Sequence, residues 1–463
     1  MVRILHPAKV PIWALAGAGV LWAQTSALAA PADDLSAIRD EIMRLRQDYD
    51  AKIKDLEDKL QKATTEAEEA KAAAAAATAA QPAPATVAAA PPAPPPIPEP
   101  LPTPRAPAAL NALNPVIAAV LNGNFVGETR DPDLRNIPGF SLSDEARSPP
   151  RGFSIGESEV ALSANIDPFL FGSLNLSFGN DNSVNVEEAY IQTTSLGGGF
   201  TLKGGRFFSG IGYINERHAH DWSFSDAPLP YRVFLGGQYG DDGIQARWLA
   251  PANIFLEFGT EWFRGASFPA AGAANNGKGT ATAFVHAGSD INDSSSWLAG
   301  LSFLHARANT RDTNGDLFNG TDNLGIASLV YKWAPGGNPV VKNLVASGEF
   351  FFGNEDGVFN GVPVDYDHWG WYAQAVYQWK PRWSFGVRYA QLRTEDVNPL
   401  LAGSTLDDLG HIPRSVTGLL EFDTSEFGRF RLQYSHDMSD IKPADEVIFQ
   451  YTVIYGPHGA HRY

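Results

Sequence analysis

From Asn114 onward the sequence is a succession of about sixteen runs in which apolar and polar residues alternate, with no convincing amphipathic helix between them. The clearest pair spans 369–392. Trp369, Trp371, Ala373, Ala375, Tyr377 and Trp379 share one face, against Gly370, Gln374, Gln378 and Lys380 on the other. After Lys-Pro-Arg, Trp383, Phe385, Val387 and Tyr389 alternate with Ser384, Gly386, Arg388 and Ala390. A period of two is the signature of a β-strand, and two such runs joined by a tight turn form a hairpin. The approximate strand cores are 116–126, 154–166, 169–178, 184–195, 200–208, 241–250, 253–263, 280–290, 296–306, 322–334, 342–352, 366–379, 383–393, 414–423, 427–436 and 446–456.

The connectors alternate too. Those after even-numbered runs are short, for example "DP", "GGG", "APA" and "KPR". Those after most odd-numbered runs are long and polar: 127–152, 209–240, 264–279, 307–321, 353–365 and 394–413. Alternating turns and loops, with most runs reaching the 9–11 residues of a tilted spanning strand, describe a transmembrane barrel. A cylinder of about sixteen strands is too wide for side chains to fill, so its apolar faces look outward to lipid. Val160, Leu162, Ala164 and Ile166, or Phe430, Leu432 and Tyr434, are such faces. Trp248, Trp262, Trp333, Trp379 and Trp383, near strand ends, fit interfacial girdles.

The N-terminal part has a different character. Arg3 and Lys9, the apolar run "VPIWALAGAGVLW" and a small-residue site read as a secretory signal over 1–29. Residues 30–80 carry a heptad seam, Leu35, Ile38, Ile42, Leu45 and Tyr49, then Ile53, Leu56 and Leu60 after a stutter, which predicts a periplasmic coiled coil. Residues 81–113 are an Ala/Pro-rich linker that favours extended polyproline II. The fold class expected is therefore an all-β transmembrane barrel of about 16 antiparallel strands over 114–463, preceded by an α-helical coiled coil and a proline-rich linker.

Net charge of −17 disfavours nucleic acid as a partner, and the absence of Cys excludes disulfides and thiol chemistry. The expected partners are outer-membrane lipid, the barrel assembly machinery, small hydrophilic solutes and, through the coil, two further copies in a homotrimer.

Candidate site residues cluster on the 209–240 connector, which carries Glu216, His218, His220, Asp221 and Asp226. Folded inward, it would set Glu216, Asp221 and Asp226 against Arg388, Arg429 and Arg431, a transverse field able to orient dipolar solutes. Glu157, Glu159, Glu187 and Glu188 on neighbouring strands read as solvated wall charges, and no catalytic constellation is expected. His218, His220, Asp221, His458 and His461 supply nitrogen and oxygen donors that suit zinc, but neither set alone has three ligands at a diagnostic spacing. Asp312, Asn314 and Asp316 in "RDTNGD" read as a plain loop rather than a calcium site.

The layout, with its N-terminal coil and large third loop, resembles trimeric porins of the class that includes the phosphate-selective porins. That resemblance implies a passive channel for small solutes or ions. The stretches "GFSIGESEVALSANIDP", "GRFFSGIGYINERHAHDWSFSDAPL" and "GPHGAHRY" are similar to proteobacterial outer-membrane proteins labelled zinc-regulated TonB-dependent receptors. That second resemblance implies zinc-linked uptake. A third reading is a structural protein spacing the outer membrane from the cell wall through its coil.

Overall fold

The computed structural model describes Lys54 and residues 115–456, apart from 133–134, 144–145, 147–148, 181, 271–276, 314 and 396. The expected leader and linker, His458 and His461 lie outside the described residues, as does all of the expected coil except Lys54, which is helical. The chain divides into Met1–Leu101 and Pro102–Tyr463, and the strands all belong to the second unit.

Among the described residues seventeen strand segments follow one another: β1 Val116–Glu128, β2 Gly152–Ser154, β3 Ser158–Asn165, β4 Leu170–Phe178, β5 Val184–Thr193, β6 Phe200–Phe208, β7 Gly240–Leu249, β8 Phe255–Phe263, β9 Thr280–Asn292, β10 Ser295–Thr313, β11 Asp316–Trp333, β12 Asn343–Phe359, β13 Val362–Lys380, β14 Trp383–Thr394, β15 Arg414–Ser425, β16 Gly428–Met438 and β17 Ala444–Tyr455. One α-helix, α1 Leu229–Leu235, lies between β6 and β7.

β2 and β3 both pair with β1, so they are two halves of one wall strand. The break between them holds Gly156 at φ 56°, a left-handed conformation that suits glycine. Asn122 bridges the break: its backbone N–H donates to Ser158 Oγ at 3.0 Å and its side-chain amide to the Glu157 carbonyl at 2.6 Å. The segments thus make a wall of 16 antiparallel strands, closed by β1 against β17 from Ala119↔Tyr455 to Glu128↔Glu446. Closure leaves no open edge along the wall.

The alternation resolves as expected on the outside. Ile244, Leu301, Leu329 and Val387 are 58–63% exposed, whereas their inward neighbours Gln245, Ser302 and Arg388 are at most 9% exposed. This is the inverse of a water-soluble barrel. Each such apolar side chain gains about 1.5–3 kcal/mol by leaving water for hydrocarbon. Trp248, Trp333, Trp379 and Trp383 lie toward the short-turn rim and Trp262 toward the opposite one. At the short-turn rim Trp383 packs on Trp379 and Phe422, with ring centroids 6.1 and 4.7 Å apart.

Two expectations need correction. The connectors expected at 307–321 and 353–365 are mostly strand, because β10 to β13 run for 17–19 residues. That exceeds the bilayer, so these hairpins stand above it. Their polar residues read as loop because lipid does not cover them there. Instead Phe318, Phe359, Val364 and Tyr366 bury themselves against Leu401 and Leu406 of the 395–413 connector. Asn360 and Gly361, at φ 49° and 82°, close β12 to β13 with the positive backbone angles that a tight hairpin turn requires.

The second correction concerns the lumen, expected to be wet. Leu304, Ile326, Phe351, Tyr372, Ala390 and Leu392 point inward and are buried in an apolar core. What covers them is the 209–239 connector.

Candidate functional site

The connector leaves β6 and turns into the barrel because wall carboxylates accept its backbone amides. Gly210 N–H donates to Glu261 at 3.0 Å and Tyr213 N–H to Glu349 at 2.7 Å. Ser209 Oγ also donates to Glu261. Asn215 ties the neck together. Its amide donates to the carbonyls of Ser209 and Tyr239 at 2.8 Å each, and its carbonyl accepts from Tyr239 N–H at 2.8 Å. Buried backbone groups without such partners would each cost about 1–3 kcal/mol.

Further along, Pro230 at the start of α1 and Gly236 at its end (φ 65°) delimit the helix. Its inner face is aromatic. Tyr231 meets Phe351 edge-on at 5.1 Å, and Phe234 stacks on Phe351 at 5.6 Å. Burial beside Glu349 pushes the Tyr231 hydroxyl pKa well above its usual range. The loop therefore narrows the lumen as a packed body rather than a floating strand of polar residues.

Of the expected charge pairs, one forms directly. Arg388 Nη2 lies 2.7 Å from Asp226 Oδ1, its Nη1 donates to the Asp226 carbonyl at 2.8 Å, and Gln433 also donates to Asp226 at 2.6 Å. Arg431 donates to the Trp222 carbonyl and pairs with Glu421 at 2.9 Å, while Arg429 donates to the His220 carbonyl. Glu216 does not face these arginines. It pairs with Arg247 and, at 3.4 Å, with Lys203. Asp221 lies 3.7 Å from His220. The arginines of β14 and β16 thus grip the loop at contact distance instead of facing it across water.

The structure also brings together two sets that the sequence kept apart. His218 and His220 of the loop enter a nest formed by Glu159 of β3 and Glu187 and Glu188 of β5. His218 Nδ1 is 3.2 Å from Glu159 and 3.1 Å from Glu187, and its Nε2 is 3.0 Å from Glu188. His220 Nδ1 is 3.0 Å from Glu159. Glu188 is further held by Asn175 at 3.2 Å and by Phe208 N–H at 3.2 Å.

Consecutive strand residues normally face opposite ways, yet Glu187 and Glu188 both reach His218. The ladder shows why: Asn175 pairs with Glu188 but Leu176 pairs with Val186, so Glu187 is the extra residue of a β-bulge. Burial disfavours the His218 imidazolium, but the hydrogen bonds it donates to the three carboxylates outweigh this and raise its pKa well above the ordinary value.

Two cavities adjoin the nest. One of about 840 Å³, toward the long connectors, is lined by Glu157, Glu187, Asp226, Arg232, Arg388 and Glu446 among others. A smaller one of about 190 Å³, toward the short turns, is lined by Val120, Ser163, Asn175, Glu159, His218 and His220 among others. Glu187 contributes to the wall of the larger cavity, and Glu159, His218 and His220 to that of the smaller.

No family model matches the chain. It is 28% identical over 389 residues to an uncharacterized protein of Aquifex aeolicus (strain VF5), covering 77% of this chain and 81% of that one. Among solved structures it is similar to an anion-selective porin from Comamonas acidovorans, at 10% identity and a TM-score of 0.49 over 74% of this chain and 99% of the porin. It is also similar to the outer membrane channel DcaP of Acinetobacter baumannii, at 10% identity and a TM-score of 0.47 over 74% of this chain and 96% of that one. The resemblance to TonB-dependent receptors finds no support in the 16-strand wall, which falls well short of the roughly 22 strands of plugged transporters.

Proposed function

We propose that the chain is a porin-like channel of a Gram-negative outer membrane, passing small hydrophilic solutes or ions through a lumen narrowed by the 209–240 connector. The single observation that carries this reading is the combination of a lipid-type outer face with a polar cavity inside the same closed wall. Leu301 and Val387 are exposed on one side of the wall, while the cavity of about 840 Å³ on the other is lined by Glu187, Asp226, Arg388 and Glu446. Charges lining so narrow a passage bias which ions enter.

The refolded full chain, reconstituted in a planar bilayer, is expected to give discrete conductance steps whose reversal potential shifts under a salt gradient. A reconstituted protein that passes no current would overturn the reading. Three copies associating through the coil, as the heptads of 30–80 suggest, belong to the same proposal; chemical cross-linking with and without residues 30–80 tests it.

A further inference from the structure

We propose that Glu159, Glu187 and His218 form a divalent transition-metal site of the zinc class that fastens the inward connector to the barrel wall. One donor atom from each of these residues falls within a sphere fit for a single ion. His218 Nδ1 is 3.2 and 3.1 Å from the nearest oxygens of Glu159 and Glu187. Tetrahedral zinc, with bonds of about 2.0–2.1 Å, sets its ligand atoms about 3.3 Å apart. The donors therefore stand close to coordination spacing already. One imidazole nitrogen and two carboxylate oxygens are a donor set for zinc rather than for magnesium or calcium, which take oxygen throughout.

The surroundings are those of a built site. A metal-binding imidazole is normally oriented by an acceptor at its other nitrogen. Glu188 stands 3.0 Å from His218 Nε2, and is itself held by Asn175 and Phe208 N–H. His220 Nδ1 reaches the second oxygen of Glu159 at 3.0 Å and fixes that ligand in turn. Asn175 is 7% exposed, and its Oδ1 is buried without a hydrogen-bond partner. Asn175 also lies 3.0 Å from His218 Nε2, on the side away from the proposed ion, and with His218 and Glu159 it lines the cavity of about 190 Å³. Three carboxylates outnumber the two imidazoles, so the nest offers negative charge to a dication. Coordination through Nδ1 requires that nitrogen without its proton, which leaves to solvent as the metal binds.

The site stands apart from the channel reading, although its part in holding a constriction rests on it. Isothermal titration of zinc into the detergent-folded full chain is expected to show one zinc per chain, unaffected by millimolar magnesium or calcium. His218→Ala and Glu187→Gln should each abolish this binding, and Glu188→Gln should weaken it about 10–100-fold. His458→Ala/His461→Ala should leave it unchanged. Glu187→Gln preserves side-chain shape and so decides the matter if His218→Ala fails to fold. No zinc bound by the wild type, binding that survives Glu187→Gln, or binding lost only in the tail variant would overturn the proposal. A protein that binds zinc here yet conducts no current keeps the site and loses the channel.

Discussion

Arg388 of β14 and Asp226 of the inward connector lie 2.7 Å apart, with the arginine side chain almost fully enclosed. The pair joins the barrel wall to a segment 162 residues away in the chain. Removing one member leaves the other as an uncompensated buried charge, at a cost of about 3–5 kcal/mol. We expect Asp226→Ala to release this part of the connector and to raise single-channel conductance and current noise. Conductance equal to wild type would show that the Asp226 segment does not limit flow.

The aromatic face of α1 offers an independent lever. Phe351 is fully buried beneath Tyr231 and Phe234. Phe351→Ala should cost about 3–5 kcal/mol of packing. Because the outer wall is unaltered, the barrel should still insert while the connector becomes cleavable by added protease. Protection identical to wild type would contradict this packing role.

The outward face makes its own prediction. Leu301 is 63% exposed near the middle of the spanning part of β10. Leu301→Arg should destabilise the protein in lipid vesicles by about 2–4 kcal/mol, read from reversible urea unfolding. On a water-soluble surface the same change would have little effect, so a near-zero result argues against lipid contact.

Topology is testable at the two kinds of turn. A short epitope inserted between Asn360 and Gly361 should be tolerated and should bind antibody on intact cells. One inserted between Pro381 and Arg382, at the opposite rim, should bind only after the outer membrane is permeabilised. The reverse labelling pattern would put the short turns on the cell exterior.

Much of the wall was readable because lipid imposes a strict rule on one face of every spanning strand. The edges expected for β6, β14 and β16 fall within two residues of those observed. The rule lapses above the bilayer, where Arg311 and Glu355 pair at 2.7 Å inside a protein core, so polarity there suggested loop where strand continues. It lapses again inside the barrel: Phe351 sits between two outward phenylalanines, and nothing in the triplet 350–352 tells which one meets the connector. The nest was legible only in halves. His220 and Glu159 are 61 residues apart, and no local spacing announces that they meet. The bulge at Glu187 left no trace in the alternation, although the adjacent acidic pair is the one signal that could have prompted a search for it.

That extra residue in β5 makes the strand's length as consequential as its composition. Excising any one position between Val184 and Glu187 would restore regular pleating, and one of the two glutamates would then swing toward the acyl chains. Evolution can therefore exchange side chains along this stretch far more freely than it can shorten it, and a family of such proteins should hold its residue count constant here while its letters drift.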